Sequence, residues 1–381
     1  MKRLILSMLL MGLTLAGLSQ NLPYKEIKAS QGETYAKGHE AYTPSFDVDG
    51  SKAKVRNVIL LIGDGMGMGA VNSAMYANGG ELTMTNLRTF GYVRTQSADN
   101  FTTDSAASGT AYACGAKTNN GYVGVGVNGE ALANLPEKLA PLGYISGVVS
   151  TDDLNGATPA SFFAHEQARG NSAAIWADLP ESCLSFASAG SQKTYERQSL
   201  KTQEAIKEKF KVVYNPDDEA VAGSERVLYL PETVDADRGN YLPETTAMAI
   251  DYLSSRAKKG FFLMVEGARI DKEEHGNNLK GTVEETLDFD KAIEVAVKFA
   301  EQDGHTLVII SADHETGAVS LTRGNPADGF VVGTFTSKGH SPMMVPLFAY
   351  GPRSFFFMGT QENSDVSNKI YSILSGQKIA E

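Results

Sequence analysis

Val58-Ile59-Leu60-Leu61-Ile62-Gly63-Asp64-Gly65-Met66-Gly67 is an unbroken apolar run that opens into glycines around a single carboxylate. Such a run predicts a strand buried on both faces, as in a parallel sheet. Four more runs of this kind follow, at Ile145–Val149, Phe261–Val265, Thr306–Ile310 and Pro346–Tyr350. Amphipathic stretches lie between them, at Glu244–Lys259 and Val283–Gln302. In the second, Ile293, Ala296, Val297 and Ala300 recur at the spacing of one helix face. Strands alternating with helices predict an α/β fold, with a central, mostly parallel sheet and helices on both faces.

In open sheets of this type, ligands gather beyond the carboxyl ends of the strands. The charged motifs fall there. Asp64 follows the first strand, Glu266 follows Phe261–Val265, and Asp313 and His314 follow Thr306–Ile310. Gly65-x-Gly67-x-x-Ala70 also fits a dinucleotide-binding fingerprint. Asp64, however, puts a negative charge where that motif would hold a pyrophosphate, and a carboxylate at the strand tip suits a cation better.

Thr103-Asp104-Ser105-Ala106-Ala107 leads into a run of small residues. Either Asp104 or Ser105 simply caps a helix, or Ser105 presents its hydroxyl at a helix N-terminus, where backbone amides favour an anionic phosphoryl group. Serine needs a base or a metal to become a nucleophile. Candidate ligands occur in Glu266-Gly267-Ala268-Arg269-Ile270-Asp271-Lys272-Glu273-Glu274-His275, where Asp271 and His275 share one face if the segment is helical. The alternative there is a solvated charged turn. Asp313-His314 ends a buried strand and needs partners, metal or hydrogen-bonded. The chain has six histidines. His275, His314 and His340 sit in such motifs; His39 and His305 read as surface residues, and His165 as structural. Thr158 precedes a proline at an expected helix start, and Arg169 offers a planar fork for two phosphate oxygens.

Together these segments resemble the alkaline phosphatase family. The matching motifs are Ile62-Gly63-Asp64-Gly65-Met66-Gly67, Thr103-Asp104-Ser105-Ala106-Ala107, Ala157-Thr158-Pro159, Val265-Glu266-Gly267 through Asp271 to His275, Ala312-Asp313-His314 and Gly339-His340, in the family's order. The resemblance implies a three-layer sandwich and a phosphomonoesterase with two zinc ions and one magnesium. Asp271, His275 and His340 would hold one zinc. Asp64, Asp313 and His314 would hold the other, beside Ser105 as nucleophile. Asp64, Thr158 and Glu266 would hold magnesium, and Arg169 would grip phosphate. It also implies a homodimer. Gly156 departs from the pattern, since some members carry Asp or His there, so water is expected to fill that gap, with Lys272 nearby. The competing readings are a phosphodiesterase on the same fold, a non-catalytic phosphate- or metal-binding protein, and, on the glycines alone, an NAD-dependent oxidoreductase.

Composition bounds the rest. The 381 residues are 42% hydrophobic and 21% charged, those of a globular protein. Lys2 and Arg3 precede an apolar run from Leu4 to Leu18, which reads as a cleaved secretory signal over residues 1–19. Its removal moves the net charge from −11 to −13, which argues against nucleic acid as a partner. The protein is expected in the periplasm or secreted, without a membrane span after cleavage, acting on small-molecule phosphate monoesters. Residues 20–381 are expected to form one domain with an irregular insertion at about 170–245. Cys114 and Cys183 permit a disulfide in such a compartment; the resemblance favours two free thiols.

Overall fold

The computed structural model describes residues 30–35, 38–215, 221 and 223–379. The expected leader at 1–19 lies outside them. A ten-stranded sheet runs through the molecule. Its spatial order is Gly359–Glu362, Thr89–Arg94, Val345–Tyr350, Thr306–Ala312, Asn57–Gly63, Phe261–Gly267, Ile145–Ser150, Leu184–Ser188, Val227–Tyr229 and Lys211–Val213. Every neighbouring pair is parallel except the two made by Val345–Tyr350. The five strands expected from sequence are therefore all present. The stretch expected as an insertion supplies Leu184–Ser188, Lys211–Val213 and Val227–Tyr229 at one edge.

The central strands are buried along their whole length, as their apolar runs require. Two sets of helices cover the sheet. Met68–Ala77, Tyr241–Arg256 and Leu279–Asp303 pack in one set, and Ser105–Cys114, Leu135–Leu139 and Asn363–Ser375 in the other. The long helix buries Ile293, Ala296, Val297 and Ala300 along the predicted face. No helix among the described residues is long and apolar enough to cross a membrane. Cys114 is buried and Cys183 exposed, both as free thiols.

One histidine departs from expectation. His39 is not a surface residue: its side chain is buried, and its Nε2 lies 2.7 Å from Asp290 Oδ2. Asp290 also accepts the Thr83 and Met84 amides at 2.7 and 3.0 Å. A buried carboxylate costs several kcal/mol unless it is paired in this way. His165 is structural, as expected, bonded to Gly124 O and to Glu137.

Strand register places the site. Gly63 pairs with Gly267 on one side and with Ala312 on the other. The residues that follow, Asp64, Ala268 and Asp313, thus leave the sheet side by side. Val345–Tyr350 runs the opposite way, so its start, not its end, lies at this edge. The segment carrying His340 therefore reaches the same place from the other direction.

Candidate active site

Two triads form where these strands end. Asp64, Asp313 and His314 bring one donor atom each within 4.8 Å of one another, and so do Asp271, His275 and His340. The inner triad is enclosed: His314 Nε2 is 3.4 Å from Asp64 Oδ1 and 3.2 Å from Asp313 Oδ2. The outer triad opens to solvent. His275 Nε2 is 3.2 Å from Asp271 Oδ2, and His340 Nε2 is 3.2 Å from His275 Nε2. The His314 and His340 rings stack at 3.5 Å between centroids, joining the two triads.

Local structure fixes each group. Asp271 and His275 stand one turn apart on the helix Arg269–His275. Thr316 pairs with His340 in a two-residue bridge and donates to Asp271 Oδ1 at 2.5 Å. Gly65 has φ 76°, and a Cβ there would lie 2.8 Å from Asp271 Cα, so only glycine permits this approach. Its amide donates to Asp313 Oδ1 at 3.1 Å, which leaves it engaged with a carboxylate rather than presented to a pyrophosphate.

Ser105 is the first residue of the helix Ser105–Cys114. Asp104 is the cap, its carboxylate accepting the Ala107 amide. Capping and catalytic readings of the motif thus fall on different residues. Ser105 Oγ lies 3.2 Å from His314 Nε2. Arg169 donates to Asp104 Oδ2 at 3.0 Å, one residue from the serine.

Glu266 and Thr158 are buried as well. Glu266 is bonded by the Ser150 hydroxyl. Thr158 Oγ1, Asp64 Oδ1 and Asp313 Oδ2 are buried with no hydrogen-bond partner among the described residues. Burial first, then the charges of Asp313, Asp271 and Glu266, push Asp64 well above the usual carboxylate range. Burial and the neighbouring Asp152 charge push Glu266 up to about 8, and burial with Asp271 raises Asp313 to about 7. His314 goes the other way, lowered by burial and by His340. Asp271 stays ionised against the effect of burial, held down by its bond from His275. Crowded carboxylates with orphaned oxygens, interleaved with imidazoles, have the chemistry of a multi-cation pocket. The residues present fit divalent metal ions.

Two features escaped the sequence reading. The space beside Gly156 is not left to water: a Cβ there would lie 2.9 Å from Asp152 Cγ and closer still to its Oδ2, so the Asp152 carboxylate fills that space. Lys272 Nζ is 2.6 Å from Asp152 Oδ1. Asp152 is only four residues from Gly156, but no local pattern shows that its side chain turns back over the glycine.

The sequence model of the alkaline phosphatase family matches residues 55–213 and 229–333. Alkaline phosphatase 4 of Bacillus subtilis is 29% identical over 417 aligned residues, which cover 86% of this chain and 90% of that protein. The solved alkaline phosphatase of the Antarctic bacterium TAB5 is 35% identical, with a TM-score of 0.80, and the match covers 86% of this chain and 100% of that one. A histidine-to-glutamate variant of the TAB5 enzyme, 34% identical with a TM-score of 0.78 over 84% of this chain and 98% of that one, has magnesium bound in its M3 site.

Proposed function

The chain belongs to the alkaline phosphatase family of phosphate-monoester hydrolases, and from that premise we propose that it works through a seryl-phosphate on Ser105. The observation that carries this reading is the Ser105 hydroxyl, 3.2 Å from His314 at a helix N-terminus and bordered by two Asp/His triads. On this reading, Asp271, His275 and His340 hold one zinc, and Asp64, Asp313 and His314 the other. Asp64, Thr158 and Glu266 hold magnesium. Bound divalent ions lower the pKa of a coordinated hydroxyl and offset charge on the entering and leaving oxygens.

The chain's own groups supply the rest. The Ser105 helix directs its first amides at the phosphoryl oxygens, and the Arg169 fork binds two of them. Ser105 Oγ attacks phosphorus in line as the bond to the alcohol oxygen breaks. Water then displaces the serine by the reverse geometry, and inorganic phosphate leaves. Two displacements retain configuration at phosphorus.

Export to the periplasm or beyond is supported by the leader reading of residues 1–19, and a homodimer by the family resemblance. Acid quench during turnover of an aryl phosphate, followed by peptide mass analysis, tests the central claim. Phosphate on Ser105 is expected; its absence under conditions that trap a burst would overturn the reading. A higher rate on the matching diaryl phosphate would favour the diesterase alternative instead.

A further inference from the structure

The gap at Gly156 closes on a carboxylate from elsewhere in the chain. Asp152 occupies the room where a side chain at position 156 would begin. Its backbone is anchored at the strand end: its amide donates to Ser150 Oγ at 2.8 Å, and its carbonyl accepts the Gly190 amide at 2.7 Å. The same Ser150 hydroxyl bonds Glu266. Lys272 reaches over from the helix that bears Asp271 and His275 and holds Asp152 Oδ1 at 2.6 Å. Burial first and then the Asp152 charge push the Glu266 carboxyl up to about 8, so Asp152 and Glu266 stand near one another.

We propose that Asp152 is the outer carboxylate of the magnesium site, standing where a side chain at 156 would begin, with Lys272 fixing its direction. This rests on the reading that Asp64, Thr158 and Glu266 hold that cation. Magnesium gives up its waters reluctantly and is bound through few direct carboxylates, so acceptors for the waters it keeps matter to affinity. Partners of that outer kind change metal affinity about 10–100-fold when removed. The two positions exclude each other sterically, because a Cβ at 156 runs into the Asp152 carboxylate.

The rival is that Asp152 and Lys272, both partly solvated, form only a surface ion pair that leaves metal binding untouched. Magnesium titration calorimetry on the zinc-loaded protein separates the two. Asp152→Asn is expected to weaken magnesium binding about 10–100-fold, with zinc content and magnesium-free melting temperature unchanged. Asp152→Asn that binds magnesium as wild type does, while Glu266→Gln loses it, overturns the role of Asp152 alone. Wild type that takes up no magnesium, with Glu266→Gln indistinguishable from it, removes the third site and the role of Asp152 with it.

Discussion

Arg169 donates to Asp104 across 3.0 Å, and the other oxygen of that carboxylate caps the helix that begins at Ser105. Arg169 and the helix start that carries Ser105, the proposed phosphate-binding and nucleophilic groups, therefore share one anchor. Asn caps a helix about as well as Asp. Asp104→Asn should keep the fold but release Arg169, raising KM for a monoester and Ki for inorganic phosphate together, by about 3–10-fold, the scale of one weakened charge-assisted contact. Asp104→Ala should also lose the cap, costing about 1 kcal/mol, read as a lower melting temperature.

Arg169→Ala removes the fork itself. Hydrogen bonds to charged groups are worth about 1.5–3 kcal/mol, so kcat/KM should fall about 10–10²-fold. Arg169→Lys should restore only part of it, because lysine keeps the charge but not the two-pronged geometry. Steady-state kinetics on an aryl phosphate gives both values, and full activity in Arg169→Lys would show that charge alone suffices.

Ser105→Ala should abolish the trapped phosphoenzyme and lower kcat by a factor on the order of 10³ or more, as for other nucleophile deletions. Zinc content should not change, since the two triads remain. A variant of near-full activity would assign the chemistry to another group.

Metal-free protein should lose stability as pH rises from 6.5 to about 9. Glu266 and Asp313 keep protons in the fold up to about 8 and about 7, which the unfolded chain has already released. His275, raised to about 9 chiefly by its bond to Asp271, holds a proton that the unfolded chain gives up near the ordinary imidazole value of about 6.5. In all three the folded state binds more protons, so unfolding is favoured as pH climbs. His314, lowered in the fold, acts the opposite way, but only below about 6.5. Metal ligands must be deprotonated, so zinc should reverse the slope. Melting curves across that range, with and without metal, decide it.

Chelation should remove activity, and zinc with magnesium should restore it; turnover that persists through exhaustive dialysis against chelator would exclude a metal-dependent reaction.

The sheet was legible because fully buried strands leave long apolar runs such as Val58–Ile62 and Thr306–Ile310. Asp271 and His275 were legible too, since helix periodicity relates them. His340 was less so: its motif marks it as a candidate, but alone it reads as a loop histidine, and it joins the others because Val345–Tyr350 runs backwards. His39 was misread because its partner Asp290 lies 251 residues away. The short strands at the far edge, three residues each at Lys211–Val213 and Val227–Tyr229, are too brief to carry a period.

The two triads differ in enclosure. His314 and Asp313 are wholly shielded, whereas the His275 side chain is 41% exposed. Ions seated in them would exchange with bulk at different speeds, the solvent-facing one emptying first and refilling first. A chelator time course should then pass through a half-stripped species, and colorimetric cobalt replacement should proceed in two separate phases.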